Sequence, residues 1–411
     1  MGTYTIYGGA VDNYIEKEYL KKIIVSFKKD ADPLAIILFG GFGKGEGSVE
    51  IINGKPVPFN DFDFYIVTRE RLSEKELDRI SHNASKAINM GGEEIAYFPE
   101  SEYDRRTFFH VDVRCIPMNQ LSTLMKTQRY YELKYKSIVI DGDTQVLNKI
   151  PTIMQSEIPL SEGLRNLFNK LHTMLLGLRE TYALDQKKIN IFWSHKAYLS
   201  ICEALLILNK TFAPSAWERN KLFNQMYKKD FPDLYEKIKD LGMKVDRATN
   251  FKLKLSFDVD HEKLWKEALG DLLIVFEYYI KKMSDGKNVI DAINNFLPYV
   301  YFKPYLQQKF GFNFFPVQYA LNIGYVNVLR KKDELFIKPL FNWKDVGLRI
   351  IIPIYYLLLY QLVDNAHKRE LLLDKAYEEL CSIITVEKKE FWHLRERALK
   401  AFGLYYQQRL L

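Results

Sequence analysis

The chain has 411 residues, which is enough for two or three domains, and its apolar fraction of 47% is ordinary for a soluble globular protein. Its net charge of +7 is unevenly distributed, with a balance of −2 over residues 1–150 and +9 over residues 151–411. A basic second half suits an acidic ligand such as a triphosphate or a nucleic acid, although a diffuse excess that serves only solubility has the same balance.

Three scattered cysteines, Cys115, Cys202 and Cys381, share no metal-ligand spacing and indicate a reducing compartment. The N-terminus has no basic region followed by an apolar core, so the sequence predicts no signal peptide. The longest uncharged apolar stretch, residues 350–363, is too short to span a bilayer and contains Pro353. We therefore expect a cytoplasmic protein without a membrane segment.

The first predicted element is a helix over residues 9–29, because Leu20, Ile23 and Phe27 recur at helical spacing. An apolar strand over residues 34–39 follows and runs directly into a glycine-rich loop, residues 40–48.

The loop reads Gly-Gly-Phe-Gly-Lys-Gly-Glu-Gly-Ser from Gly40. Its spacing excludes a P-loop, since Gly45 is followed by Glu46 and not by Lys-Ser/Thr, and it does not match the G-x-G-x-x-G dinucleotide fingerprint. Glycines let phosphate oxygens approach the backbone N–H groups closely. The alternative is a mobile loop beside an acidic surface strand.

After the loop, the segment 49–57 predicts a hairpin around Asn53-Gly54, the strongest two-residue turn signal. Residues 60–67 then read as a strand in which Asp61 and Asp63 share one face and apolar side chains share the other. Two carboxylates about 7 Å apart on one strand face repel each other unless a cation lies between them.

A third acid lies on a later predicted strand, residues 107–116. His110, Asp112 and Arg114 share one face of this strand, and apolar residues share the other. If it pairs with the Asp61/Asp63 strand, three carboxylates come together, and such a set suits two hard divalent cations, Mg²⁺ first.

The ordered trio of glycine loop, Asp-x-Asp strand and third Asp strand resembles the DNA polymerase beta-like nucleotidyltransferase superfamily over roughly residues 34–115. The resemblance implies that Asp61, Asp63 and Asp112 are catalytic and hold two Mg²⁺ ions, with Mn²⁺ as a possible substitute. It also implies that Gly40, Gly41 and Lys44 position the phosphates of an NTP. Two features depart from the family pattern: Gly41 stands where Ser is commoner, and the gap to Asp61 is longer.

Beyond the motif, a capping box beginning at Ser73 predicts a helix to about residue 89, and residues 129–141 predict a strand pair or sheet edge. From residue 159 helical periodicity dominates, with predicted helices at 160–183, 189–209, 216–229, 258–283, 287–297, 344–364, 366–384 and 386–409. The predicted fold class is α+β, a mixed-sheet nucleotidyltransferase domain followed by an all-α region. The expected domains are 1–150 (catalytic), 151–285 (helical, nucleotide- or substrate-binding) and 286–411 (C-terminal helical).

Within the helical region, the resemblance implies a lysine that holds the β- and γ-phosphates, and Lys196 with Ser215 is the candidate pair. The alternative is that Lys196 lies on a solvated helix face and Ser215 is only a helix N-cap. His195 has no Cys or His partner at ligand spacing, so we predict no metal there.

The function predicted from these residues is metal-dependent transfer of an NMP from an NTP, ATP by default, to an acceptor hydroxyl. A small molecule or a protein is favoured as acceptor, because the second half has no concentrated basic stripe. Two alternatives remain open: an RNA-end nucleotidyltransferase and a non-catalytic nucleotide-binding regulatory protein. Base preference and oligomeric state are not predicted.

Overall fold

The structure is a computed structural model that describes residues 2–59, 61–90, 111–297 and 346–403. The chain forms two compact units. The sheet unit comprises Met1–Pro159, Ala183–Lys188 and Asn209–Val259, and the helical unit comprises Leu160–Tyr182, Ile189–Leu208 and Asp260–Leu411.

These units depart from the predicted domain boundaries at 150 and 285. Residues 209–259 belong to the sheet unit, and no boundary between units falls at 285. The physical reason for the first difference is a set of buried hydrogen bonds, including those from the backbone of Ala216 and Trp217 to the Glu46 carboxylate.

The core of the sheet unit is a four-stranded mixed sheet. Its strands are β1 (Ala35–Leu38), β4 (Phe62–Thr68), β5 (Val111–Pro117) and β6 (Ile138–Gly142). The order is β5-β4-β1-β6, with β4 and β5 parallel and the other pairs antiparallel. A mixed sheet followed by a mostly helical region confirms the predicted α+β class.

The two faces of the sheet bury different sets of side chains. On one face, Phe62 and Phe64 of β4 pack with Phe27 and with Ile80, which belong to the two helices that cover this face. The first helix begins as Gly9–Ile15, passes through a π-helical segment, Glu16–Leu20, and ends as Lys21–Ala31 (together α1); the second is Glu74–Ala87 (α3). Both were predicted, and the Ser73–Glu76 capping box is present.

The predicted hairpin is confirmed as β2 (Val49–Ile52) paired with β3 (Lys55–Pro58). Asn53 and Gly54 occupy its turn with φ of 50° and 75°. Positive φ at both turn residues is the requirement of a type I′ turn, which is why this dipeptide is a reliable signal.

On the other face of the sheet, Tyr65, Val67 and Ile116 form a second core with Leu133. Leu133 lies on α4 (Gln128–Tyr135), where the sequence predicted strand. This prediction was wrong for residues 129–135. Thr127 caps the helix by accepting the N–H of Tyr130, and Tyr131 and Tyr135, four residues apart, lie together on one face of the helix.

The remaining helices belong mostly to one unit each. In the sheet unit they are α2 (Gly40–Gly43), α7 (Ala216–Asp230), α8 (Pro232–Tyr235) and α9 (Leu241–Leu253), and α9 had not been predicted. In the helical unit they are α5 (Leu160–Gly177), α10 (His261–Met283), α11 (Val289–Asp291, continued by a π-helical Ala292–Phe296), α12 (Val346–Arg349), α13 (Ile351–Leu362), α14 (Ala366–Cys381) and α15 (Phe391–Phe402).

One helix, α6 (Leu184–Leu208), contributes its first turn to the sheet unit and the rest to the helical unit. Among the described residues, its stretch Gln186–Leu208 is the one that is long and apolar enough to cross a membrane. The most apolar part of this stretch is 78% buried inside the protein, as is typical of a core helix.

Candidate functional site

The three predicted acids lie at the start of two neighbouring strands. Asp63 and Asp112 are directly opposite each other in the parallel register of β4 and β5. Asp61 is half-buried and precedes the first residue of β4. The predicted pairing of these two strands is therefore confirmed, whereas His110 lies outside the described residues.

The acids do not form a finished metal site. Across the part of the chain that is described, no three His, Cys, Asp or Glu side chains are grouped so that they could hold a metal ion. The donor chemistry of Asp63 and Asp112 nonetheless fits a hard cation, because carboxylate oxygens are the ligands that Mg²⁺ prefers and the register places the two residues side by side.

Two arginines interact with these carboxylates. Arg114 lies two residues after Asp112 on the same face of β5, and its Nη2 is 3.4 Å from Asp112 Oδ2. Arg129, on α4, hydrogen-bonds to the Tyr65 side chain. Burial acts to lower the pKa of the Arg129 guanidinium, but its interactions with Tyr65, Asp112 and Asp63 outweigh burial and the pKa is raised. Burial likewise raises the pKa of Tyr65 to about 12, so its hydroxyl is neutral at physiological pH.

The turn between β1 and the glycine loop is packed against Asp63. The backbone N–H of Phe39 donates to the backbone oxygen of Asp63 at 2.9 Å. Gly40 follows with φ of 62°, and a Cβ on Gly40 would lie 1.9 Å from Asp63 Oδ2. Only glycine meets both requirements without strain, so the local backbone of the loop and the position of the acid depend on each other.

Lys44, predicted to position phosphates, lies in a buried ion cluster. Its side chain is only 7% exposed, and its Nζ forms an ion pair of 2.7 Å with Glu132, which also accepts a hydrogen bond of 2.7 Å from Arg219 Nη1. Burial acts to raise the pKa of Glu132, but the charges and hydrogen bonds of Lys44 and Arg219 outweigh it and the pKa is lowered. Lys44 therefore belongs to a buried ion cluster that joins the glycine loop to α4 and α7, and its predicted contact with phosphate stays a prediction.

A second buried acid, Glu46, anchors the other end of the loop. Its side chain is 0% exposed and accepts the N–H groups of Ala216 and Trp217, in the first turn of α7, at 3.0 and 2.9 Å. Burial acts to raise the pKa of Glu46, but the charge of Lys252 and these two hydrogen bonds outweigh it and the pKa is lowered. Glu46 therefore remains ionised and stabilises the positive end of the helix.

Lys252, on α9, brings a cation to the glycine loop. A Cβ on Gly41 would lie 3.4 Å from Lys252 Nζ, which also donates to the backbone oxygen of Glu46 at 3.4 Å. The hydroxyl of Ser48 donates to the backbone oxygen of Lys252 at 2.7 Å. The amine of Lys252 is thus held beside the Gly40-Gly41 turn, where the sequence had placed Lys44.

The candidate pair Lys196 and Ser215 is divided between the two units. Ser215 belongs to the sheet unit and Lys196 to the helical unit. Ser215 is the N-cap of α7, where its hydroxyl accepts the N–H of Glu218 and donates to the Glu218 carboxylate. This confirms the N-cap interpretation, because the hydroxyl's hydrogen bonds are used within the helix.

Lys196 is half-buried, and its Nζ lies 4.4 Å from the centre of the Phe192 ring. Burial, helped by the charge of Lys196, lowers the pKa of the neighbouring Lys170 to about 7. Lys196 therefore has structural partners in its own unit, and its predicted contact with the triphosphate stays a prediction.

Sequence reasoning missed Glu132, Arg129 and Lys252. The spacing of Leu241, Val245 and Ala248 would have predicted α9. No sequence signal places Lys252 beside a loop 206 residues away. The two residues on α4 were missed because that segment was interpreted as strand.

Comparison with known proteins leaves the family unassigned. No family model matches the chain, and no curated protein matches it. Among solved structures, a spectinomycin adenyltransferase from Enterococcus faecialis, determined with ATP and spectinomycin, aligns with 64% of this chain and 99% of its own, at 12% identity and a TM-score of 0.34. A likeness this weak carries no argument about the fold or activity of the present protein.

Proposed function

We propose that the protein is a nucleotidyltransferase that moves an NMP from an NTP to an acceptor hydroxyl and releases pyrophosphate. The observation that carries this proposal is the packing of Gly40 against Asp63, with Asp112 directly opposite on the next strand. A glycine turn and an acid pair in contact are what phosphate transfer requires, because the turn admits phosphate oxygens and the acids attract the cation that accompanies them.

The residues that would hold a divalent cation are Asp61, Asp63 and Asp112, with Mg²⁺ as the expected ion and Mn²⁺ as its substitute. When bound, such an ion neutralises phosphate charge and lowers the pKa of the attacking hydroxyl. The number of ions, two by the resemblance, is part of the proposal.

The chain's own residues position the substrate. The acceptor oxygen attacks the α-phosphorus, the bond between that phosphorus and the α–β bridging oxygen breaks, and pyrophosphate leaves. Asp112, whose Oδ2 lies 3.4 Å from Arg114 Nη2, accepts the proton of the acceptor hydroxyl. Gly40 and Gly41 leave room for the phosphates, and Lys252 supplies a positive charge next to them.

The acceptor is proposed to be a small molecule or a protein side chain, and ATP is the first donor to test. An RNA end is the alternative acceptor. Incubation with each labelled NTP and Mg²⁺ or Mn²⁺, scored for pyrophosphate and for label in small molecules, protein and RNA, separates these possibilities. Asp63→Asn is the matched inactive control, because it removes a charge from the site without changing side-chain volume.

A non-catalytic nucleotide-binding role is the second candidate, favoured by the Arg114–Asp112 ion pair, which occupies one of the three acids. It predicts that ATP binds, that Gly41→Val abolishes this binding, and that no pyrophosphate is released from any NTP. Pyrophosphate release that depends on Asp63 would reject it.

A further inference from the structure

The segment that precedes α1 is folded against the glycine loop. We propose that Asp12 of α1 is a positioning residue, which keeps residues 2–5 in the conformation that holds the second half of this loop in place. The inference rests on the proposed function where it concerns nucleotide binding, but its first readout requires no nucleotide.

Asp12 organises the segment before it through its carboxylate. The residue is only 7% exposed and accepts three hydrogen bonds. The backbone N–H of Tyr4 donates to Oδ2 at 3.0 Å, and the backbone N–H and the hydroxyl of Thr5 donate to Oδ1 at 3.0 and 2.7 Å. A buried carboxylate needs such donors, because hydrogen bonds to a charged acceptor offset the loss of water. The conformation of the segment and the burial of Asp12 therefore depend on each other.

Residues 2–5 are fitted closely to this carboxylate. The N–H of Gly2 donates to the backbone oxygen of Thr5 at 2.9 Å, which closes the segment on itself. A Cβ on Gly2 would lie 2.3 Å from Asp12 Oδ2 and 2.4 Å from Gly8 Cα. Contacts this short leave no room for a side chain, so the segment has one way to pack here.

The same segment contacts the second half of the glycine loop. The N–H of Gly47 donates to the backbone oxygen of Tyr4 at 2.9 Å. Gly45 has φ of 75°, and a Cβ there would lie 2.9 Å from the backbone oxygen of Gly2. Tyr4 is therefore held by Asp12 through its N–H and holds the loop through its carbonyl group.

The second half of the loop is hydrogen-bonded to its first half. The N–H of Glu46 donates to the backbone oxygen of Gly41 at 2.9 Å, and a Cβ on Gly41 would lie 3.3 Å from the backbone oxygen of Glu46. Glu46 is flanked by the two glycines that contact residues 2–5. Hydrogen bonds thus connect Asp12, through Tyr4 and the loop backbone, to Gly41, where phosphate is proposed to bind.

The test compares Asp12→Asn with Asp30→Asn. Asparagine keeps the side-chain volume but replaces one acceptor oxygen with an NH₂ group, so the N–H groups of Tyr4 and Thr5 cannot both be accepted as they are now. Asp30 is the matched control, because it also lies on α1, its side chain is 9% exposed, and it accepts a hydrogen bond of 2.9 Å, but from Asn83 on α3.

Two measurements are made on each variant. Hydrogen exchange, followed by mass spectrometry, compares residues 42–48 with β4, which serves as the reference for global opening. Isothermal titration with ATP and Mg²⁺ gives the nucleotide affinity.

We expect Asp12→Asn to speed the exchange of residues 42–48 about tenfold relative to β4, because a hydrogen bond to a charged acceptor is lost. Its ATP affinity should fall about three- to tenfold, since a looser loop must be ordered on binding. Asp30→Asn should change neither quantity. The proposal would be overturned by unchanged loop exchange in Asp12→Asn, by equal acceleration in the two variants, or by faster loop exchange with an unchanged ATP affinity.

If Asp12→Asn does not fold, Thr5→Val and Thr5→Ser replace it. Valine has nearly the shape of threonine but lacks the hydroxyl that donates to Asp12, whereas serine keeps this hydroxyl. Loop exchange should be faster in Thr5→Val and close to that of the wild type in Thr5→Ser, and equal rates in the two would reject the role of Asp12. A wild type that binds no ATP would fail the proposed function, whereas hydrogen exchange would still decide whether Asp12 holds the loop.

Discussion

Substitution of Gly40 by alanine tests whether this turn positions Asp63 or is an ordinary turn without a role in the candidate site. Gly40 has φ of 62°, and a Cβ there would lie 1.9 Å from Asp63 Oδ2 and 2.7 Å from Asp63 Cγ. Two costs therefore add: a left-handed backbone at a non-glycine residue, about 1–2 kcal/mol, and displacement of a packed side chain, about 1–3 kcal/mol. The lower entropy of the unfolded chain returns about 0.4–1 kcal/mol.

The expected loss in the free energy of unfolding of Gly40→Ala is thus about 2–4 kcal/mol. Gly54→Ala, in the hairpin turn, is the matched control, because Gly54 has φ of 75° and a Cβ there would have nothing within 4 Å. It bears the backbone cost alone and should lose only about 0.5–1.5 kcal/mol.

Urea unfolding measures both values, and isothermal titration with ATP and Mg²⁺ measures binding. Because a Cβ at position 40 displaces Asp63, Gly40→Ala should bind ATP at least tenfold more weakly, which corresponds to a loss of about 1.4 kcal/mol of binding free energy. Gly54→Ala should bind ATP as the wild type does. Equal stability losses in the two variants, together with unchanged ATP affinity, would refute the argument that Gly40 positions Asp63.

Three further predictions concern charged residues. Lys252→Ala should weaken ATP binding by roughly ten- to hundredfold and AMP binding much less. Substitution of the exposed Lys254 by alanine is the control and should change neither affinity. Equal losses for ATP and AMP would place Lys252 away from the β- and γ-phosphates. The pKa of Glu132 is lowered in the folded protein, so its ionised carboxylate stabilises the fold above the unfolded pKa, and this stabilisation is lost as the pH falls through the folded pKa. The free energy of unfolding in urea should therefore depend less on pH below about 4.5 in Glu132→Gln than in the wild type. Lys170, with a pKa of about 7, should be acetylated at pH 7.5 faster than Lys254 in a mass-spectrometric time course, and Lys196→Met should slow this reaction by raising the pKa of Lys170.

Local patterns in the sequence determined the elements that surround the acids. Alternation predicted which residues of β4 and β5 share a face, and the structure buries Phe62 and Phe64 on one face and Tyr65 and Val67 on the other. Asn53-Gly54 predicted the hairpin turn. These predictions succeed because backbone geometry within a few residues decides them.

The tertiary structure alone decided how the charged residues are used. Lys44 is in the glycine loop, as a phosphate-binding lysine would be, but it is buried against Glu132. The cation beside Gly41 is instead Lys252, which lies on α9 and is 206 residues after Glu46 in the chain. Whether a lysine meets a ligand or a carboxylate depends on which distant segment packs against it, and no local pattern contains that information.

The same reason explains Arg129. Thr127 to Tyr135 alternates well enough for a strand, and only packing on the Tyr65 face of the sheet makes it a helix whose first turn brings Arg129 to the Tyr65 side chain. The sequence by itself determined that acids and glycines occur in the order of a nucleotidyltransferase motif. Which cations balance those acids was decided by the fold, because charges act through space over several ångströms whatever their separation along the chain.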